Sequence, residues 1–516
     1  MSVSVFEIVG PIMIGPSSSH TAGMARIGMM THRIVGENPV DIHLDLSPKM
    51  RTTYSGHRTD AALFGGVIGL TESDPDIRRA IDLAHERGVK TSVGFLESGK
   101  YPENTALLTV KCENGETVKV LGTSVGGGSI AISEVDGVKM NVNADAWHLV
   151  IWSSSEIPSD MREGSVSVQV GKNEREYISC ISFADQPDTE LTEKIAGLLQ
   201  VRRMKIVAPV LPYGMTRISE KLCGSCEEVC KKAAEKACSL TEIAIEYEMK
   251  RSGHTREQIR EQMKKHLEQI KKSVVEGEKG NQMLYGLTSG HDGPRMLKAI
   301  EDGKTVSGGI VPKAVARALG VMEYNGAMGC IVAAPTAGSS GIVPGSMVTV
   351  QQKYGFSDEK IEDALFVASL MGVVMENRDV SFSGSVGGCQ GEVGVSSAIT
   401  AAAIASLFTD DPEAITHAMA ICLKNLLGLV CDPIAGPIEV PCIKRNAVGV
   451  ANAFTSADMA LAGIRSYIPP DEVIDALVDV EKRLPSELRC ATTGGLACTA
   501  TACRLREKLE KKSNKK

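Results

Sequence analysis

GSVGGCQGEVGVSSA (residues 384–398) and GLVCDPIAGPIEVPCIKRN (residues 428–446) bracket a long apolar run in the second half of the chain. Cys389 sits among glycines, whereas Cys431 and Cys442 flank a Pro/Gly segment, in CDP and VPC. Thiols carried on loops can aim several sulfurs at one centre, which thiols spread around a helix cannot. Three thiolates with no close fourth ligand suit a metal or cluster that keeps an open coordination position. We read the stretch as the seat of a catalytic iron–sulfur cluster, embedded in apolar helices.

Working outward, 516 residues exceed what one core usually holds, so two or more domains are expected. Hydrophobic content of 43% and charged content of 23% are those of an ordinary globular protein. A net charge of −7 argues against a nucleic-acid partner, which would call for a basic footprint. Aromatics are only 4% while glycines number 51, so the core must be small aliphatics packed closely. The N-terminus MSVSVFEIVGPIMIGPSSSH lacks a basic region ahead of an apolar one and does not read as a signal peptide. Fourteen cysteines in an unexported chain point to metal or catalytic use rather than disulfides. The apolar run at 395–408 is too short, and too rich in Ala and Ser, to span a bilayer. A cytoplasmic protein without nucleic-acid or membrane partners is expected.

Residues 1–150 alternate short apolar strands with helical segments. The pattern predicts a strand at Val3–Val9, a loop GPSSSH (Gly15–His20) entering a helix near Thr21–Val35, and a strand at Asp41–Ser47. Gly56–Leu70 reads as a loop and helix with Thr59 or Asp60 as N-cap, and Pro75–Gly88 as a helix. A hairpin is expected around Asn114-Gly115, then a glycine loop at Ser124–Ile130. Over 151–220, strands near Tyr177–Phe183 and Lys205–Val210 flank a helix near Thr189–Leu199, forming either a bridging layer or a degenerate regulatory βαβ-type module. From residue 221 the chain is charged and helical, then apolar and glycine-punctuated. Helices are expected near Val311–Leu319, Asp358–Met371, Ser396–Phe408, Pro412–Leu427, Ala447–Leu461 and Pro470–Arg483. The expected fold is an α+β domain over 1–150, the bridging segment over 151–220, and a mostly α-helical catalytic domain over 221–516.

Two histidines stand in loops of the first half, His20 ending GPSSSH and His57 in SGHRTD. Serine-rich turns before a helix offer hydroxyls and N–H groups to an anion such as a carboxylate. An imidazole beside them can move protons near neutral pH. The bland alternative, a helix cap and a surface histidine, stays open at this point. His32, His43, His85, His148, His254, His266 and His417 fall in periodic segments and read as surface or core residues. Cys223, Cys226, Cys230 and Cys238 are spaced like a metal site, but EEVCKKAAEKACSLTEIA is helical with Cys226 and Cys230 on one face, so buried small residues are expected. Two further loops belong with the opening stretch: NGAMGCIVAAPTAGSSGIVPG (325–345), dense in backbone donors, and LTSGHDGPR (287–295). Cys330 and Cys422 lie in apolar runs and read as packing residues.

These motifs together resemble the iron–sulfur-dependent L-serine dehydratases, or L-serine ammonia-lyases. GPSSSHTAG and GHRTD resemble the β chain of that family; NGAMGCIVAAPTAGSSGIVPG, GGCQGEVG, CDPIAGPIEVPC and GGLA resemble its α chain, here in one polypeptide. The intervals between the three cysteines match as well. The resemblance covers most of the chain and is weakest over 150–215, where some relatives carry a regulatory module. It implies a 4Fe–4S cluster held by Cys389, Cys431 and Cys442 with one iron open, and no pyridoxal phosphate. Removing the β-hydroxyl of serine needs a Lewis acid, since hydroxide leaves poorly. His57 would take the Cα proton and His20 would orient the substrate. Ser17, Ser18, Ser19 and Thr21, with Thr336, Ala337, Gly338 and Ser339, would hold its carboxylate and ammonium groups. Pyruvate and ammonia would follow, placing the chain in amino-acid degradation and gluconeogenesis. The first domain also resembles an allosteric-substrate-binding domain, and a homodimer is expected. Some relatives end in a cysteine that caps the open iron at rest; this tail offers Cys498 or Cys503 for that role.

Three rival readings share some of these features. A pyridoxal-phosphate lyase would need a Schiff-base lysine, for which Lys444 is a poorly placed candidate, and a phosphate loop, for which SVGGGSI is another. A non-catalytic amino-acid sensor would not need to keep His20, His57 and all three cysteines. A threonine- or cysteine-directed lyase differs by one methyl or one sulfur, about 1–3 kcal/mol of pocket energy, which motifs do not resolve.

Overall fold

The computed structural model describes residues 2–52, 54, 57–211, 213–435, 439–491 and 493–513. Gly56 of the SGHRTD loop and Gly436–Ile438 of CDPIAGPIEVPC lie outside them. The chain divides into two compact units, Ser18–Arg217 and the combination of Met1–Ser17 with Ile218–Lys516.

The unit Ser18–Arg217 contains a six-stranded sheet in the order Lys90–Phe95, Pro39–Leu46, Thr105–Cys112, Thr117–Gly126, Ser129–Val135, Val138–Asn143. Only the first pair is parallel; the rest form an antiparallel meander whose alternating burial marks one covered face. The Asn114-Gly115 turn joins two of these strands as its chemistry predicts. Helices Gly23–Val35 and Thr59–Val67 pack against each other through glycines. A Cβ on Gly28 would lie 2.4 Å from the Leu63 carbonyl oxygen, and one on Gly66 2.2 Å from that of Ala25. Only glycine at both positions allows this backbone approach, and it brings the histidine loops together.

A second sheet runs Val201–Val207, Trp147–Ser153, Tyr177–Phe183, Ser167–Lys172, all antiparallel. Tyr177–Phe183 and Val201–Val207 are therefore parallel to each other, joined by helix Thr189–Ala196, over a core of Leu149, Ile151, Ile157, Ile181, Phe183 and Ile195. The sheet takes in Trp147–Ser153, so a boundary at 150 would cut a strand.

The other unit is helical. Val395–Ser406 lies at its centre with every residue buried, packed against Asp358–Asn377, Pro412–Lys424 and Cys442–Leu461. Ala and Ser let these helices approach closely, and the hydroxyls of Val395–Ser406 that this buries are bonded: Ser397 Oγ donates to Gly449 O at 2.6 Å and Thr400 Oγ1 to Ser396 O at 2.7 Å. The expected helices are present with boundaries shifted by a few residues, and Val311–Gly326 is longer than expected. No helix among the described residues is long and apolar enough to cross a membrane.

The N-terminus departs from expectation. The segment expected as strand Val3–Val9 forms helix Val5–Ile8, opened by a capping box in which the Ser4 side chain and Glu7 each satisfy the other's backbone N–H. Glu248, buried and paired with Arg251, accepts from Ser4 Oγ and Val5 N at 3.0 Å each. Strand Ile12–Ile14 then pairs antiparallel with Cys330–Val332. The first seventeen residues thus belong to the helical unit, not to the sheet-containing one.

Candidate metal centre

Cys389 follows Gly388, whose φ of 71° suits glycine, and precedes a wide π-helical turn, Gln390–Gly394, that runs into the buried helix Val395–Ser406. The turn places Glu392 three residues after Cys389. Cys442 opens helix Cys442–Leu461. Cys431 forms a parallel bridge with Arg489: its N–H donates to Leu488 O at 2.8 Å and its carbonyl accepts from Cys490 N at 2.7 Å.

The sulfurs of Cys389 and Cys431 and a carboxylate oxygen of Glu392 lie within 4.8 Å of one another, the convergent ligand set found among the described residues. Cys442 is buried beside this trio, its thiol pushed up by burial and by the nearby Cys389, Glu392 and Cys490. The thiol of Cys431 is pushed well up by hydrogen bonds with those of Cys389 and Cys490 and by burial. A bound cation would reverse this by displacing the thiol protons.

Neighbouring groups fix these ligands. Arg445 donates to Cys389 Sγ at 3.3 Å, to Val430 O at 2.7 Å and to Asp432 Oδ1 at 2.7 Å. The other Asp432 oxygen accepts from Leu496 N at 2.8 Å, which ties in the GGLA segment. Thr336 Oγ1 donates to Glu392 Oε1 at 2.9 Å. Burial nonetheless pushes the Glu392 carboxyl up to about 7, against the opposing pull of Thr336 and Arg445. A Cβ on Gly338 would stand 3.2 Å from Glu392 Oε1, and one on Gly384 3.1 Å from Cys431 Sγ. Glycine at 384 leaves a cradle beside the sulfur that any side chain would fill.

Thr336–Ser339 are all buried and held by two asparagines. Asn325 Nδ2 donates to Ala337 O, and Asn446 Nδ2 to both Gly338 O and Cys442 O, each at 2.9 Å. Glu439 accepts the backbone N–H groups of Tyr285, Leu287 and Thr288, positioning the LTSGHDGPR loop, while Met283 just before it packs with Cys442.

In the unit Ser18–Arg217, the rings of His20 and His57 stack with centroids 4.6 Å apart. Their loops are cross-tied: Thr21 Oγ1 donates to His57 O at 2.8 Å and Thr59 Oγ1 to His20 O at 2.9 Å. Thr59 and Asp60, one or other of which is expected as the N-cap, are instead the first two helical residues behind Arg58. Ser18–Ala22 is a second π-helical turn leading into a helix, and it carries Ser18, Ser19, His20 and Thr21. Ser18 and Thr21 are buried, Ser17 and Ser19 half-buried. Burial lowers His20 to about 4, so it is neutral at working pH.

The remaining candidates separate. Cys498 and Cys503 are exposed, and it is Cys490 whose backbone N–H meets the carbonyl of Cys431. Cys223 and Cys226 are buried and Cys230 and Cys238 half-buried, with no convergent ligand set formed by them among the described residues. Lys444 pairs with Asp292 at 3.3 Å. Glu392, Arg445 and Cys490 escaped the sequence reading. The first two stand three residues from a cysteine, a spacing that carried the signal; Cys490 had none.

The family model "Serine dehydratase alpha chain" matches residues 235–497, and "Serine dehydratase beta chain" matches residues 4–99. A Bacillus subtilis protein named probable L-serine dehydratase, alpha chain, is 44% identical over 283 residues, 55% of this chain and 94% of that one. Its probable beta-chain counterpart is 39% identical over 142 residues, 28% of this chain and 64% of that one. The L-serine dehydratase of Haemophilus influenzae is 25% identical over 512 residues, 96% of this chain and 98% of its own. Three cysteines that gather beside glycine-rich loops, and matches to both chain models in sequence order, have one reading: the chain belongs to the serine dehydratase family, with its β-chain and α-chain parts joined in one polypeptide.

Proposed function

We propose that this chain removes water from L-serine by β-elimination, giving pyruvate and ammonia, with a 4Fe–4S cluster held by Cys389, Cys431 and Cys442. The observation that carries this reading is the convergence of two buried thiols and a carboxylate, with Cys442 beside them. The donor set fits such a group: soft sulfur ligands, a guanidinium N–H on one of them, and a glycine cradle at 384. When bound, the cluster would supply the Lewis acid that departure of a β-hydroxyl requires.

The chain's own residues do the rest. His57 takes the Cα proton. His20, kept neutral by burial, orients the substrate through one ring nitrogen. Ser17–Thr21 and Thr336–Ser339 hold the carboxylate and ammonium through hydroxyl and backbone groups. Loss of the Cα proton and the hydroxyl leaves 2-aminoacrylate, which tautomerises to an imine that water hydrolyses to pyruvate and ammonia. We take the first domain to share its fold with allosteric-substrate-binding domains, 151–220 to be a bridging or degenerate regulatory segment, and the protein to act in the cytoplasm as a homodimer.

Anaerobically purified protein tests this by iron and sulfide content, absorbance, and pyruvate release from L-serine, L-threonine and L-cysteine. The expected result is a broad band bleached by oxygen and turnover of L-serine. A sharp pyridoxal band, or an intact cluster without turnover of any of the three, refutes it. His57→Ala should lower kcat by about 10²–10⁴-fold, the usual worth of a general base.

A further inference from the structure

We propose that residues 281–290 form a strap over the Cys442 side of the metal centre, and that Glu439 is the latch that holds it closed and limits exchange of the bound group with solvent. The inference rests on the cluster reading above and gives a positioning role to Glu439, three residues ahead of Cys442.

The strap is a loop whose ends meet, where Asn281 N donates to Gly290 O at 2.8 Å. Gly280 and Gly290 bound it with φ of 80° and 71°. A Cβ would lie 2.2 Å from His291 Nδ1 at the first and 1.8 Å from Asn281 O at the second, so only glycine lets the chain close on itself there. Between these glycines, Gln282, Leu284, Gly286 and Ser289 are exposed, whereas Met283 is buried. One face of the strap lies in water and the other covers protein.

Three contacts fasten it to the segment that carries Cys442. Glu439 is buried and accepts from Tyr285 N at 3.0 Å on Oε1, and from Leu287 N at 2.7 Å and Thr288 N at 3.1 Å on Oε2. Hydrogen bonds to an ionised carboxylate are the strong kind, and here one group makes three. Met283 lies in one buried cluster with Cys442 and Ile443. Lys444 pairs with Asp292, just past the strap, at 3.3 Å, and its side chain is mostly in solvent, where such a pair contributes little. Glu439 is therefore the principal fastening, and it sits on the same short segment as a metal ligand.

The closed strap also keeps two buried polar atoms unsatisfied: Thr288 Oγ1 and Asn281 Nδ2 have no hydrogen-bond partner among the described residues. Lifting the strap hydrates both, but it breaks the Glu439 bonds and uncovers Met283 and Cys442. These effects oppose each other, which gives a segment able to open locally while the helices beneath stay folded. Glu439 sets how often it does.

Two measurements on the full chain decide, both with Glu439→Gln. The variant keeps one acceptor oxygen and turns an NH₂ toward backbone donors in place of the other, so at least one of the three bonds is lost. In metal-free protein, amide hydrogen exchange followed by mass spectrometry should be about tenfold faster over residues 284–290, with Val395–Ser406 unchanged. In cluster-loaded protein held anaerobically, iron loss to a ferrous chelator should be about tenfold faster, with the absorbance spectrum of the loaded form unchanged because its ligands are the same. Gly28→Ala, which loosens the other unit, should lose iron at the wild-type rate. Equal exchange over 284–290, equal iron loss, an altered spectrum, or faster loss in Gly28→Ala as well overturns the proposal. Where Glu439→Gln takes up no iron, Met283→Ala decides in its place: faster iron loss supports the strap and a wild-type rate overturns it. Wild-type protein that takes up no iron or sulfide overturns the cluster reading, an outcome distinct from a failed latch because amide exchange needs no metal.

Discussion

Arg445 does for the metal centre what a ligand cannot do for itself. Its guanidinium spans Cys389 Sγ, Val430 O and Asp432, so one planar fork sets the direction of a sulfur and the course of two loops. Lysine keeps the charge and loses the fork. Arg445→Lys should speed iron loss to a chelator, or lower activity at saturating L-serine, by about 10–100-fold, the usual cost of removing a partner of a metal ligand. Unchanged rates in both assays would show that the contact with Cys389 is incidental. At this scale, glycine and proline around Cys389 and Cys431 rule out regular helix and made those positions readable, whereas Cys442, read as a loop thiol, is the first residue of helix Cys442–Leu461. Glu392 and Arg445 were readable in principle from their three-residue offsets. Cys490 was not: its approach to Cys431 comes from a bridge across nearly sixty residues of intervening chain, which no local pattern encodes.

Helices Gly23–Val35 and Thr59–Val67 hold the histidine pair by touching backbone to backbone. With Gly28 at 2.4 Å from Leu63 O once given a Cβ, Gly28→Ala must push the helices apart. The Thr21–His57 and Thr59–His20 hydrogen bonds span the same junction and would lengthen with it. The expected outcome is a destabilisation of about 1–3 kcal/mol by urea unfolding. A fall in kcat larger than the fall in folded fraction should accompany it. If kcat per folded molecule is unchanged, the glycine contact serves stability alone. Long periodic helices such as Pro412–Lys424 and Pro470–Arg483 announced themselves in the sequence, because an apolar stripe and a proline at the first turn are local signals. Val3–Val9 misled because a short apolar run is compatible with strand or buried helix. Ser4 and Glu7 held the decisive capping-box spacing, and the buried Glu248–Arg251 pair supplied the partners for that end.

Across the whole molecule, the chain enters the helical unit, leaves to build the sheet-containing unit, and returns near residue 218. The pairing of Ile12–Ile14 with Cys330–Val332 makes that first passage structural, and a separation of that length is invisible to any reading of local pattern. The match to the β-chain family model starts at residue 4, so part of the β-type sequence is built into the α-type unit. Both units share one vulnerability. His20 and His148 in the sheet-containing unit and His266 in the helical one are each lowered to about 4 by burial. His266 donates from Nδ1 to Gln262 O at 2.8 Å, its ring lies 5.3 Å from that of Phe6, and its buried Nε2 has no hydrogen-bond partner among the described residues. Between pH 4 and the ordinary histidine value of 6.5 the unfolded chain binds protons at these sites and the folded chain does not. Stability therefore rises with pH in that window: it is fully present above about 6.5 and is lost as the pH falls toward 4, by on the order of 3 kcal/mol per site. Urea midpoints followed by tryptophan fluorescence would report the unit holding Trp147 and Trp152, and far-ultraviolet dichroism the helical one. His266→Leu removes one titrating group, so the dichroism midpoint of that variant should depend less steeply on pH while the fluorescence midpoint keeps its slope. Equal slopes for variant and wild type by dichroism would mean that His266 is protonated in the folded state, and that the pocket around Phe6 admits water.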